Sequence, residues 1–300
     1  SGVVDVHRYF EVQQKDPSVV SDHSEAATLL AMNIRDVPAK AVVYMDERLV
    51  DEPTIRFIAP QLKDHIPFEL WRLPLRSEDD TAIFLEGDAK SSVDVIRQMY
   101  PDASVLELTS PYGGPIVLYR ILVAKAQVTV PMGVETTFTT DTATAKSVTN
   151  RAPTIDEQWT SLPFPFPFRA QWAGTLITDS YGDYIFALDG PTNAEATIDS
   201  QATVKGGTQA LMTLPRGAHH LEVNANITSA TPVQLRWKPP GAPDLVVAPH
   251  NALFTNPISS AGLLGSYFPN QSWTAPVAMQ QIDPIVAFNY HLLPLSLIHI

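Results

Sequence analysis

The feature that most constrains this chain is a change of hydrophobic period near residue 125. Before it, stretches with helical spacing alternate with short apolar runs. Asp22-His23-Ser24-Glu25 has capping-box spacing ahead of Ala27, Leu30, Ala31 and Ile34, which predicts an amphipathic helix. Ala41 to Met45 reads as a strand buried on both faces, and a helix is expected at about Thr54 to Leu62. Strands are expected at Phe68 to Leu73 and Ala82 to Leu85, then a helix from Ser91 that Pro101 stops for want of an amide hydrogen. Val105 to Leu108 and Ile116 to Val123 follow as strands, separated by the turn-rich Ser110-Pro111-Tyr112-Gly113-Gly114-Pro115. The order β-α-β-β-α-β-β predicts a Rossmann-like layered α/β unit over residues 3–125.

Beyond about Lys125 the helical period disappears and Thr becomes frequent. Period-two alternation marks Tyr184, Phe186 and Leu188, then Leu221, Val223, Ala225 and Ile227, then Val233, Leu235 and Trp237. Strands with one buried face read this way, so an antiparallel β-sandwich is expected over 128–250. The predicted class is therefore α/β plus all-β. Trp172, Tyr184, Phe186, Leu221, Val223 and Trp237 are its expected core, and Gly174, Gly182 and Gly217 read as turn glycines.

Composition narrows the function classes. Acidic residues outnumber Lys and Arg by 32 to 20, for a formal charge of -12 without any basic cluster, so nucleic acid is not an expected partner. Zero cysteines remove thiolate nucleophiles and sulfur-ligated zinc, while remaining compatible with bacterial export. No run of about 18 apolar residues would span a bilayer. Ser1-Gly2 reads as the edge of an excised piece or a tag remnant, and the apolar stretch Leu292 to Ile300 ends without a cap. Either the natural chain continues there or its last residues come from cloning.

A family resemblance enters with Phe168-Arg169-Ala170-Gln171-Trp172-Ala173-Gly174-Thr175-Leu176 and Gly182-Asp183-Tyr184-Ile185-Phe186. In order after them come Ala194 to Asp199, Leu214-Pro215-Arg216-Gly217, and Leu235-Arg236-Trp237 with Pro239-Pro240-Gly241. This series resembles the protective-antigen-type carbohydrate-associated β-domain. Gly262 to Asn270, Trp273 and Ile282-Asp283-Pro284 resemble the opening of a further copy, so 251–300 reads as a truncated second copy or an edge that packs back on the first. His7-Arg8-Tyr9-Phe10, Val42 to Met45, Leu73-Pro74-Leu75, Tyr100-Pro101 and Tyr119-Arg120 resemble the soluble extracytoplasmic region of membrane glycosyltransferases that use polyprenyl-phosphate sugars. That second resemblance implies catalytic aspartates in a membrane portion outside this sequence.

In lectin members of the protective-antigen family, two consecutive aspartates hold a calcium ion that bridges to sugar hydroxyls. The corresponding stretch here is Leu188-Asp189-Gly190-Pro191-Thr192-Asn193, where Gly190 removes one carboxylate ligand. Calcium-dependent binding is thus not expected, nor is any other cofactor. The resemblance leaves Asp189, Asn193 and Asp199 as candidate carbohydrate ligands, although Asp189-Gly190 reads more simply as a turn.

Other candidates read as surface features. On a strand His219 and His220 point to opposite faces, which leaves His220 and Glu222 together and no third ligand. Asp79-Asp80 and Asp51-Glu52 sit in polar turns, without the opposing partner that glycoside hydrolysis requires. Asp46-Glu47, Gly87-Asp88 and Thr109-Ser110 follow the buried strands and make no nucleophile-base set, and neither a Gly-x-Ser-x-Gly elbow nor a His-Glu-x-x-His helix is present. The leading expectation is a non-catalytic extracytoplasmic region that contacts glycan or cell-envelope polymer, belonging to a membrane glycosyltransferase. A secreted glycan-active hydrolase with an attached sandwich, and a purely structural spacer, are the alternatives.

Overall fold

The computed structural model describes residues 22–111, 114–129, 131–140, 144–200, 202–255, 263–270, 272–283 and 298–299. His7 to Phe10, Tyr112-Gly113 and most of the stretch from Leu292 lie outside the described residues. The chain divides into two compact units, one comprising Ser77–Thr129 with the chain up to Leu70, the other Trp71–Arg76 with the chain from Val130 onward.

The first unit runs α1 (Asp22–Asn33), β1 (Val42–Met45), α2 (Pro53–Ile58), β2 (Ile66–Pro67), β3 (Thr81–Glu86), α3 (Lys90–Met99), β4 (Ser104–Thr109), β5 (Ile116–Val123) and α4 (Lys125–Thr129). Its sheet has the order β2-β1-β3-β5-β4. β1 is parallel to β2 and β3, whereas β5 is antiparallel to both β3 and β4. The expected Rossmann-like layered unit is therefore not what forms. The described chain is mostly β, built from several sheets, with only four short α-helices, the longest of 12 residues. A parallel pair needs a crossover of a dozen or more residues, and the Ser110-Pro115 turn is too short to supply one, so β4 and β5 must close as a hairpin. The strand expected at Phe68 to Leu73 also fails to form. Only Ile66–Pro67 pairs with β1, and a 3-10 turn at Leu70–Arg72 follows.

The second unit is antiparallel. Its strands are β6 (Val134–Thr140), β7 (Ser147–Ala152), β8 (Asp156–Glu157), β9 (Phe168–Thr178), β10 (Gly182–Asp189), β11 (Glu195–Ile198), β12 (Ala202–Lys205), β13 (Thr208–Leu214), β14 (Gly217–Ile227), β15 (Val233–Lys238), β16 (Val246–Val247) and β17 (Leu253–Phe254). One sheet has the order β12-β11-β14-β9-β6-β7 with β17 also on β9; the other has β13-β10-β15-β16 with β8 on β15. Both sheets contribute their inward faces to one core. All six expected core residues are buried, with Phe186, Leu221 and Val223 at 0% exposure and Trp237 the most exposed at 7%. No helix interrupts 165–240 among the described residues.

β18 (Leu263–Tyr267) and β19 (Met279–Asp283) form a hairpin, which β20 (Ile298–His299) joins on the β18 side to make a small sheet. It hydrogen-bonds to the chain just before β14, where the Arg216 amide donates to Gln280 O at 2.8 Å and the Ile282 amide to Arg216 O at 2.8 Å. The hairpin thus joins the sandwich by backbone pairing.

Gly174 departs from its reading as a turn glycine, because it lies inside β9. A Cβ there would stand 2.5 Å from the carbonyl oxygen of Phe254 on β17. Backbone must shift to admit it. Gly174→Ala is therefore expected to destabilise the sandwich by about 1–3 kcal/mol in urea unfolding, as overpacked cores do. A midpoint equal to wild type would show that β17 is free to move away from β9.

Candidate functional site

Because strand residues alternate, the strands that bury Phe168, Ala170 and Trp172 must turn Arg169 and Gln171 outward. Pairing then sets neighbours beside them. Thr137 on β6 pairs with Gln171, and Gln171 with Asn224 on β14. Two residues along, Thr139 pairs with Arg169, and Arg169 with Asn226. These two rows of hydroxyl, amide and guanidinium groups line an open groove of about 260 Å³.

Two of these side chains have fixed orientations. Gln171 Nε2 donates to Glu222 Oε1 at 2.8 Å, and Asn224 Nδ2 donates to the same oxygen at 2.7 Å. An ionised carboxylate only accepts, so both amides must present their NH2 groups to Glu222 and keep their carbonyl oxygens as acceptors. The hydrogen bonds from Asn224 and Gln171 hold the Glu222 carboxyl below the ordinary carboxylate range, against a smaller opposing effect of burial. The groove consequently offers fixed acceptors in one row and the Arg169 donors in the next.

The three sequence candidates do not form one cluster. Asp189, at the end of β10, accepts from Arg236 Nη2 at 2.9 Å. Asn193 Oδ1 accepts from the Asn226 amide at 2.9 Å, which places it at the edge of the groove. Asp199 lies in the β11–β12 turn and accepts from the His220 amide at 2.9 Å. His220 and Asn226 are six residues apart on β14, so Asp199 and Asn193 are separated by about 20 Å at the strand rise. Among the described residues no three His, Asp or Glu side chains group as metal ligands.

His219 departs from its reading as a surface residue: it is fully buried, while His220 is half exposed and its Nε2 lies 3.9 Å from Glu222. His219 Nδ1 is 2.7 Å from Asp199 Oδ2, and Nε2 is 2.9 Å from Pro215 O and 3.1 Å from Thr178 Oγ1. A Thr-His-Asp row invites comparison with nucleophilic catalysis, which requires a hydroxyl that substrate can reach. Thr178 is 0% exposed and donates to Pro215 O at 2.7 Å. The row is a brace.

In the first unit, Arg48 gathers acids at the ends of the parallel strands β1 and β3. Its guanidinium lies 2.9 Å from Asp46, 2.9 Å from Glu86 and 2.7 Å from Asp88. The hydrogen bond that it donates to Asp46 leads in pushing its pKa up, so the cation is permanent. Asp80 accepts from the Lys125 amide at 2.7 Å at the start of α4, and Asp51 pairs with exposed Arg56.

No family model matches the chain, and no curated protein sequence matches it. Solved structures share parts of it. An anti-sigma factor domain-containing protein from Clostridium clariflavum is 18% identical over 51% of this chain and 59% of that one, with a TM-score of 0.36. The PA14 domain of the MpAFP antifreeze protein is 15% identical over 41% of this chain and 89% of that domain, at 0.33. The A domain of epithelial adhesin 6 from Candida glabrata, solved in complex with Galb1-3GlcNAc, is 12% identical over 42% and 88%, at 0.34. The chain spans about half the length of the anti-sigma factor domain-containing proteins it matches.

Sequence reasoning missed both the groove and the His219 brace. For His219 a signal existed, since it is in phase with Leu221, Val223, Ala225 and Ile227 on the inward face of β14. For the groove none did. Thr137, Gln171 and Asn224 are brought together only by the pairing of β6, β9 and β14.

Proposed function

We propose that this chain is a non-catalytic, glycan-binding region that works outside the cytoplasm, and that it serves a membrane glycosyltransferase by positioning carbohydrate or cell-envelope polymer. The observation that carries the glycan reading is the groove across β6, β9 and β14, with the Gln171 and Asn224 amides held by one carboxylate. Sugars are recognised by converging donors and acceptors of fixed orientation. A groove of about 260 Å³ suits a ligand of one or two rings, just below the usual small-molecule range of about 300 Å³ upward. Asn193 extends the same surface at its edge. The glycosyltransferase assignment rests on the resemblance of the first 125 residues. It agrees with the first unit's acids, of which Asp46, Glu86 and Asp88 are engaged with Arg48.

The test is a glycan array on the isolated chain, followed by NMR titration of the best binder with wild type and with Gln171→Ala/Asn224→Ala. Binding is expected in the millimolar to micromolar range, weakened about tenfold or more by the double substitution, as befits two lost hydrogen bonds. No turnover is expected against aryl glycosides or a polyprenyl-phosphate sugar donor. Binding that the double variant leaves untouched would move the site elsewhere, and turnover abolished by one acidic substitution would favour the secreted hydrolase.

A further inference from the structure

From the charge asymmetry of the groove we infer that its ligand is an acidic glycan, a sugar bearing a carboxylate, with Arg169 as the residue that selects it. This rests on the glycan reading above. Arg169 is exposed and makes no ion pair among the described residues, and its row holds only neutral polar neighbours, Thr139 on one side and Asn226 on the other. Two other arginines of the second unit are ion-paired, Arg236 with Asp189 and Arg76 with Asp179.

Among the described residues the acids of the same face sit on other rows of the sheet. Glu135 on β6 and Glu222 on β14 both pair with Ala173, four residues along β9 from Arg169, or about 13 Å at the strand rise. Glu195 pairs with Asn224 two strands across, about 12 Å from Arg169 by strand spacing and rise. Arg169 is thus the charged member of its own row, while the Glu222 carboxylate is engaged by the Gln171 and Asn224 amides of the next. A planar guanidinium matches a carboxylate with two parallel hydrogen bonds, which a neutral hydroxymethyl group cannot reproduce. Two residues along, the Gln171 and Asn224 carbonyl oxygens accept from hydroxyls. The groove therefore reads a ring by its hydroxyls at the Glu222 end and by its carboxylate at the Arg169 end.

The experiment compares matched pairs of short oligosaccharides, glucuronate-, galacturonate- and mannuronate-containing, each with its carboxyl-reduced neutral form, by NMR titration on the full chain. Wild type is expected to bind at least one acidic form about tenfold tighter than its neutral mate, and Arg169→Gln to bring that ratio close to one. Equal affinity for both forms, or a ratio that survives Arg169→Gln, overturns the inference while leaving the groove as a neutral-sugar site. Failure of every acidic and neutral form to bind removes the glycan reading itself, and this inference with it.

Discussion

Trp172→Ala is expected to be among the most damaging single substitutions in the second unit, costing about 3–5 kcal/mol of stability. The indole is 1% exposed, on the inward face of β9 between Ala170 and Gly174. Phe138 meets it edge-on, with centroids 6.3 Å apart and planes at 89°, and Phe138 in turn meets Trp159 and Phe168 at 6.0 Å each. Those geometries are the favourable ones for aromatic quadrupoles, so removing Trp172 costs more than its buried area alone. Collapse around the cavity is restrained from two sides, because β9 is hydrogen-bonded to β6 and β14 along the same stretch. Urea unfolding followed by fluorescence of the remaining tryptophans is the measurement. A loss near 1 kcal/mol or less would mean that the aromatic cluster repacks, and that the core is less jigsaw-like than its ring geometry indicates.

The fate of Trp172 also shows what was legible beforehand. Period-two alternation is a local property of each strand, and it placed Trp172, Tyr184, Phe186 and Trp237 inside without knowledge of their neighbours. Sheet order is non-local. The same local reading therefore erred for the first unit, where β1 and β3 are parallel but β5 enters antiparallel between β3 and β4. The short connector before Ile116 held the information needed to expect a hairpin. The candidate site was less legible still. Asp189 and Asp199 share a sequence neighbourhood of eleven residues with Asn193, yet β11 carries the chain lengthwise between Asn193 and Asp199. Conversely Thr137 and Asn224 are 87 positions apart and line one groove.

Removal of the His219 side chain is expected to have the other large effect, and a pH dependence distinguishes it from a simple core deletion. His219→Ala leaves Asp199 without its ring partner and opens a cavity beside Thr178 and Pro215, at a cost of roughly 2–4 kcal/mol. Burial by itself would raise the Asp199 pKa, but the hydrogen bond and charge of His219 outweigh it, with a further contribution from the His220 amide, and the net shift is downward. A carboxyl whose folded pKa lies below its unfolded value adds stability that is fully present above the unfolded value. That stability is lost as pH falls through the folded one. Wild type should therefore weaken in acid below pH ~4, beyond what the remaining carboxylates cause. Asp199→Asn keeps an oxygen to accept from the His220 amide while removing the charge, so it should cost less than His219→Ala near neutral pH. It should also flatten that acid limb. Because the Asp199 side chain is 42% exposed, solvent screens the pair and the flattening will be modest. Thermal unfolding of the three proteins from pH 3 to 7 is the check. Parallel pH curves for wild type and Asp199→Asn would show that Asp199 contributes only as a turn residue. His219 would then be held by Thr178 and the Pro215 carbonyl alone.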